Sequence, residues 1–200
     1  LGADGIGIYS YTQSYMVYFT MFAGMGTTSY GMREIARCRY DKYEYSKKFW
    51  EIELLKVFTT CICLFIWGMV VFFSTPYKIY FIALIPSLFG VMFDISWFYT
   101  GHEKVNYIVF WNAICKAIGV VCIFIFIKDK SNLFHYLLIN TLVLAIGNAS
   151  MWVFLPKMLI KVNVKEFSFA THFKETLVYF IPTISTSIYT VLDTYWNNNT

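Results

Sequence analysis

Charge is scarce in this chain. Of its 200 residues only 14% are Asp, Glu, Lys or Arg, against about 25% in soluble domains. A soluble globule of this size buries roughly 70% of its unfolded surface and must still present a charged exterior, so a water-soluble fold is excluded. Proline is rare as well, with four residues, which leaves long windows free of helix breakers. The five cysteines (Cys38, Cys61, Cys63, Cys115, Cys122) are odd in number and form no CxxC pair. They read as small buried side chains rather than a disulfide or metal framework. His102, His135 and His172 are scattered, with no second ligand at metal spacing. No metal, cofactor, catalytic residue or nucleic-acid partner is therefore expected.

What the chain has instead is apolar and aromatic surface, 58% hydrophobic and 21% Phe, Trp and Tyr. Six windows of about 20 residues, the length that crosses a bilayer core as helix, run roughly over 6–30, 52–74, 78–100, 105–127, 133–155 and 175–193. The sequence predicts an all-α polytopic bundle with about six spans. Assuming strict alternation with the start outside, Arg33, Arg37, Arg39, Lys42, Lys47, Lys48, Lys56, Lys104, Lys157, Lys161, Lys165 and Lys174 fall on one side, and Lys78, Lys128 and Lys130 on the other. The positive-inside rule makes the first side cytoplasmic. The stretch 33–56 reads as an orienting cytoplasmic loop, with contact to anionic headgroups as the sharper alternative. The stretch 156–175 reads as an amphipathic linker lying along the inner interface.

Ionisable residues inside spans each cost about 2.5–3.5 kcal/mol on insertion scales, so Asp94 and Lys116 need a reason. They lie on antiparallel neighbours at depths about 7 Å apart, which predicts an ion pair or a shared water-filled cavity. Asn112 and Gly119, four before and three after Lys116, extend a polar, small-residue face along its helix. The first window is unusually polar. Its Ser10/Ser14 and Gly24/Thr28 pairs suit close helix packing, while Gln13 and the tyrosines suit a polar route.

The run "LGADGIGIYSYTQSYMVYF" (1–19), with "YGMREIA" (30–36), "SKKFWEI" (46–52), "FDISWFYTG" (93–101) and "FIPTISTSIYTVLD" (180–193), resembles the polysaccharide flippases. These are the Wzx-type transporters of O-antigen and capsule repeat units, in the superfamily that also holds the MATE drug exporters. The resemblance implies the first bundle of a two-bundle transporter in a bacterial inner membrane, lacking its first helix. Residues 1–193 would form that partial bundle. The tail "TYWNNNT" (194–200) departs from the family and is the expected mark of a truncation, frameshift or crop. The implied cargo is an oligosaccharide on polyprenyl pyrophosphate, flipped from inner to outer leaflet for surface polysaccharide biosynthesis. Its implied partners are membrane lipids and polysaccharide polymerase machinery. Arg33 and Lys116 would then supply cations to the diphosphate, with Gln13, Asp94 and Asn112 in the cavity. The alternatives are a cation-coupled small-molecule exporter, a polymerase-type membrane enzyme and an inactive remnant. Short outer loops weigh against the enzyme.

Overall fold

In a computed structural model, residues 3–74, 76–127, 132–169, 172–182 and 184 are described; those residues are mostly helical and contain no strand. The long helices are α1 (Ala3–Gly24), α3 (Lys42–Phe73), α7 (Val105–Phe126) and α8 (Leu133–Ser150). Shorter ones are α2 (Thr27–Cys38), α4 (Lys78–Ala83), α5 (Ile85–Met92), α6 (Ser96–Gly101) and α9 (Leu155–Met158), and a further helix, α10, covers 172–182.

Among the described residues four segments are long and apolar enough to cross a membrane: Lys42–Phe73, Lys78–Gly101, Val105–Phe126 and Leu133–Met158. The protein is a multi-pass membrane protein. These four recover four of the six expected windows. The first window also forms a helix of adequate length, 22 residues in α1, or roughly 33 Å, but its hydroxyl-bearing side chains keep it less apolar than the others. The sixth begins as α10, and its remainder lies outside the described residues, as does the 194–200 tail.

The stretch 33–56 is no loop. α2 carries its buried residues at Thr27, Tyr30, Gly31, Glu34 and Ile35, the i, i+3, i+4, i+7 stripe of a helix lying on a core. It ends at a tight turn, and Asp41 caps α3 by accepting from the backbone N–H of Tyr43 and Glu44 at 3.0 and 3.1 Å. The helix then buries Tyr45, Phe49, Ile52, Lys56, Thr59, Cys63 and Trp67, one every three to four residues. At roughly 48 Å, α3 is longer than a hydrocarbon core about 30 Å thick, so its first turns project beyond it. Only the periodicity of the aromatics marked this in the sequence; the density of charge hid it.

α1 and α2 are separated by a kink at Met25 and Gly26, with φ of 39° and 72°. A side chain at Gly26 would meet the Phe180 amide at 2.8 Å and the Thr176 carbonyl at 2.9 Å, so α10 packs directly on the kink. The packing stripe of α1 is Thr12, Met16 and Ala23. Ser10 and Ser14, expected at a helix contact, lie on the exposed face instead, together with Tyr11, Tyr15 and Tyr18. Among the cysteines, Cys63 is buried and Cys61 exposed, because Cys61 points off the α3 stripe.

Two cores stack along the bundle. One surrounds Phe49, Ile52, Trp97, Phe98 and Met151; the other surrounds Met16, Trp67, Leu84, Leu88 and Leu137. The basic connectors gather at the Phe49 end. There Arg39 pairs with Glu103, Tyr45 Oη donates to the Met158 carbonyl at 2.8 Å, and Tyr43 Oη donates to Glu166 at 2.7 Å. The linker after α9 is mostly irregular and is tied down through its backbone: the Ile160 amide to Ser46 Oγ at 3.2 Å and the Ser168 amide to Glu51 Oε1 at 2.7 Å.

Candidate functional site

The third span is broken twice, and the breaks account for most of its polar neighbours. Pro86 sits in the first turn of α5, where its missing N–H and ring shift the backbone bonding. A second break at Phe93 to Ile95 separates α5 from α6. Freed carbonyls inside a bilayer must find donors, and each break finds them on a neighbouring helix. Thr141 donates to the Ala83 carbonyl at 2.8 Å, Asn148 to Gly90 at 2.8 Å, Trp152 Nε1 to Phe93 at 2.9 Å, and Lys56 Nζ to Asp94 at 2.5 Å.

Asp94 belongs to this break. Its Oδ1 accepts the Ser96 amide at 2.9 Å, so the carboxylate folds back to hold the start of α6. The ion pair with Lys116 expected from depth alone is absent from the salt bridges of the described residues. Depth along neighbouring helices was compatible, but the carboxylate is turned onto its own chain and Lys116 faces another groove. The lysine that does meet the break is Lys56, which also lies 2.8 Å from Glu53 Oε2. Lys56 and Glu53 are each 2% exposed. The approach is an ion pair by distance without good hydrogen-bond angles, since both Glu53 oxygens and Trp97 Nε1 count as buried without a hydrogen bond. Because Lys56 is buried, it drops out of the charge balance that orients the chain.

Lys116 lines a different place, a cavity of about 300 Å³ between α1, α5, α7 and α8, together with Gln13, Asn112, Tyr9, Ser87 and Asn140. Three of the five expected site residues, Gln13, Asn112 and Lys116, are thus brought together from α1 and α7. Lys116 is exposed to this opening and has no ion pair among the described residues. The face predicted along α7 does two jobs. Asn112 and Lys116 open onto the cavity, while Gly119 closes the helix pair, since a side chain there would lie 2.9 Å from Val143 Cγ2. Arg33 is not at the cavity. It is exposed on α2, with its guanidinium 5.6 Å from the centre of the Tyr179 ring.

A second buried polar chain, unmarked by any motif, lies beside α10. Tyr30 Oη and His172 Nδ1 are 2.7 Å apart, and His172 Nε2 is 2.9 Å from Glu51 Oε2. This ties α2, α3 and α10 together across 142 residues of sequence. Nearby, Glu34 bonds Lys48 at 2.6 Å and Arg37 at 3.0 Å. Burial raises the Glu34 carboxyl, but the hydrogen bonds and charge of Lys48 and Arg37 outweigh it and hold the group below its ordinary value. A lone His and isolated acids carry no spacing signal for such contacts.

The model of the polysaccharide biosynthesis protein family matches residues 1–198. The chain belongs to that family. A curated relative, named "Putative O-antigen transporter", from Escherichia coli (strain K12), is 23% identical over 136 residues. The match covers 66% of this chain and 33% of the relative, so the chain spans about a third of the length of the protein it resembles. No solved structure matches. The likeness to the polysaccharide flippases, read from the motifs, and the family match agree.

Proposed function

We propose that the protein carrying this chain translocates a polyprenyl-pyrophosphate-linked oligosaccharide from the inner to the outer leaflet of a bacterial inner membrane, without catalysing a reaction. The observation that carries this reading is the pairing of a cationic cavity with a hydroxyl-rich helix face. Among the described residues Lys116 is the charged one lining the cavity and has no ion pair, and such a cation at mid-span suits an anionic cargo better than a cationic one. That also disfavours a cation-coupled exporter, whose cavity would need carboxylates.

The exposed face of α1 adds the second half. Ser10, Tyr11, Ser14, Tyr15 and Tyr18 lie open along it. Ser14 Oγ donates to the Ser10 carbonyl at 2.7 Å and the Tyr11 and Tyr15 hydroxyls are 3.4 Å apart, which leaves further donor and acceptor capacity that lipid cannot meet, so this face is better matched to water, a second bundle or sugar, which hydrogen-bonds hydroxyls and stacks on rings. In repeat-built transporters the substrate site forms between two such bundles, and alternating access would rock one against the other. Under this reading Gln13, Asn112 and Lys116 contact or steer cargo. Asp94 and Arg33 shape the bundle and its α10 contact.

The test is genetic and chemical. Deleting the gene should leave lipid-linked repeat units on the inner leaflet and stop surface polysaccharide from appearing, while the upstream glycosyl transfers continue. Normal surface polysaccharide in that strain, with no second flippase present, would reject the proposal.

A further inference from the structure

A second opening lies at the opposite functional level, where the start of α7 meets the turn between α8 and α9. Its volume is about 520 Å³ and its lining includes Glu103, Lys104, Asn106, Tyr107, Phe154 and Lys157. We propose that it binds the phosphate of an anionic phospholipid from the cytoplasmic leaflet, a role independent of the transport reading above.

Four observations point to a phosphate. First, Glu103 is neutralised by Arg39, whereas neither Lys104 nor Lys157 has an ion pair among the described residues, so the net charge facing the opening is positive. Second, α7 has 22 residues, no side chain caps its start, and its first turn holds no acidic residue. The partial positive charge of that helix end therefore faces the same opening as the lysines, an arrangement that favours anions. Third, the Tyr107 hydroxyl is buried beside the Trp111 ring, whose indole N–H can only donate, so among the described residues the Tyr107 proton has no acceptor; an acceptor oxygen is what it lacks. Fourth, the walls are aromatic. Phe154 packs on Tyr107 and Trp111 with ring centres 5.2 and 6.4 Å apart, and Lys157 Nζ sits 5.8 Å from the Phe154 ring centre. Aromatic rings beside lysines are the composition of a membrane interface, and the basic connectors gathered at this end make it the cytoplasmic one. Basic pockets between spans at that level suit anionic headgroups.

The experiment compares the purified protein in nanodiscs of phosphatidylglycerol or phosphatidylcholine, both of which carry a phosphate but only one a net negative headgroup. Hydrogen exchange at the amides of Val105 and Asn106 in the unaltered protein should slow in phosphatidylglycerol; equal exchange in both lipids overturns the proposal. Native mass spectrometry should show phosphatidylglycerol retention falling about fivefold for each of Lys104→Gln and Lys157→Gln, with Lys161→Gln, outside the lining, leaving it unchanged. Loss of retention in all three variants alike would mean diffuse surface charge and overturn the site. Competition by soluble pyrophosphate as effective as that by phosphatidylglycerol would assign the pocket to a free or cargo diphosphate and overturn the lipid assignment. None of these readouts uses polysaccharide export, so failure here leaves the transport reading standing.

Discussion

Lys56 and Lys116 are both lysines in membrane spans, and the fold treats them oppositely. Lys56 is sealed in the core with a carboxylate at 2.8 Å and a backbone carbonyl at 2.5 Å; Lys116 stands open in a cavity with no ion pair among the described residues. A buried charge with its partners in place fixes geometry, because moving either partner strands the other. An open charge among polar side chains carries no such obligation to the fold and remains available to a ligand. The lesson is that intramembrane charge by itself does not mark function. Whether the charge is already satisfied decides.

The sharpest way to break this contrast is to remove one partner of the sealed pair. Lys56→Ala should destabilise the protein by about 3–5 kcal/mol, visible as a collapse of detergent-solubilised material in thermal melts. Lys56→Met combined with Glu53→Leu should recover most of that loss. If the single variant melts like the parent, Lys56 is not structural. A smaller loss is expected where the same region is overfilled. Gly31 lies against the Trp97 ring, so Gly31→Ala should cost about 1–3 kcal/mol by overpacking, measured by the same melts.

Lys116 should behave in the opposite manner. Lys116→Ala should leave the melting temperature unchanged or raised while lowering export roughly tenfold, the scale of one charge-assisted hydrogen bond. A drop in stability with normal export would reverse the roles of the two lysines. Asp94 sharpens the comparison further, since it was the acid expected to pair with Lys116. Because its observed work is to hold the α6 start, Asp94→Asn should cost less than Asp94→Ala, which should lose about 1 kcal/mol. In a double-mutant cycle Asp94 and Lys116 should be additive within about 0.5 kcal/mol; a larger coupling would restore the ion pair.

The smallest effect concerns pH. The Glu34 carboxyl is held below its ordinary value of 4.5 in the folded protein. Its contribution is therefore complete above the unfolded value and is lost as pH falls through the lower folded one. In an acid titration of stability, Lys48→Gln should flatten that limb by less than about 1 kcal/mol, and an unchanged limb would mean that Lys48 is not the group holding Glu34 down.

The all-helical, multi-pass class followed from the sequence alone, because only a bilayer tolerates so much apolar surface with so little charge. Four span positions followed too, since a helix crossing lipid needs about 20 apolar residues whatever its neighbours do. So did the shared face of Asn112, Lys116 and Gly119, which the 3.6-residue repeat imposes locally. The α3 extension to Lys42, the two breaks in the third span and the partners of Asp94, Lys56 and His172 were decided by tertiary structure. Each depends on which way a side chain turns and which distant helix supplies the missing donor: Lys56 reaches a carbonyl 38 residues away, and His172 reaches Tyr30 across 142. Residue spacing sets depth and face within one helix, but the rotation and approach of its neighbours come from packing, and packing chose the partners.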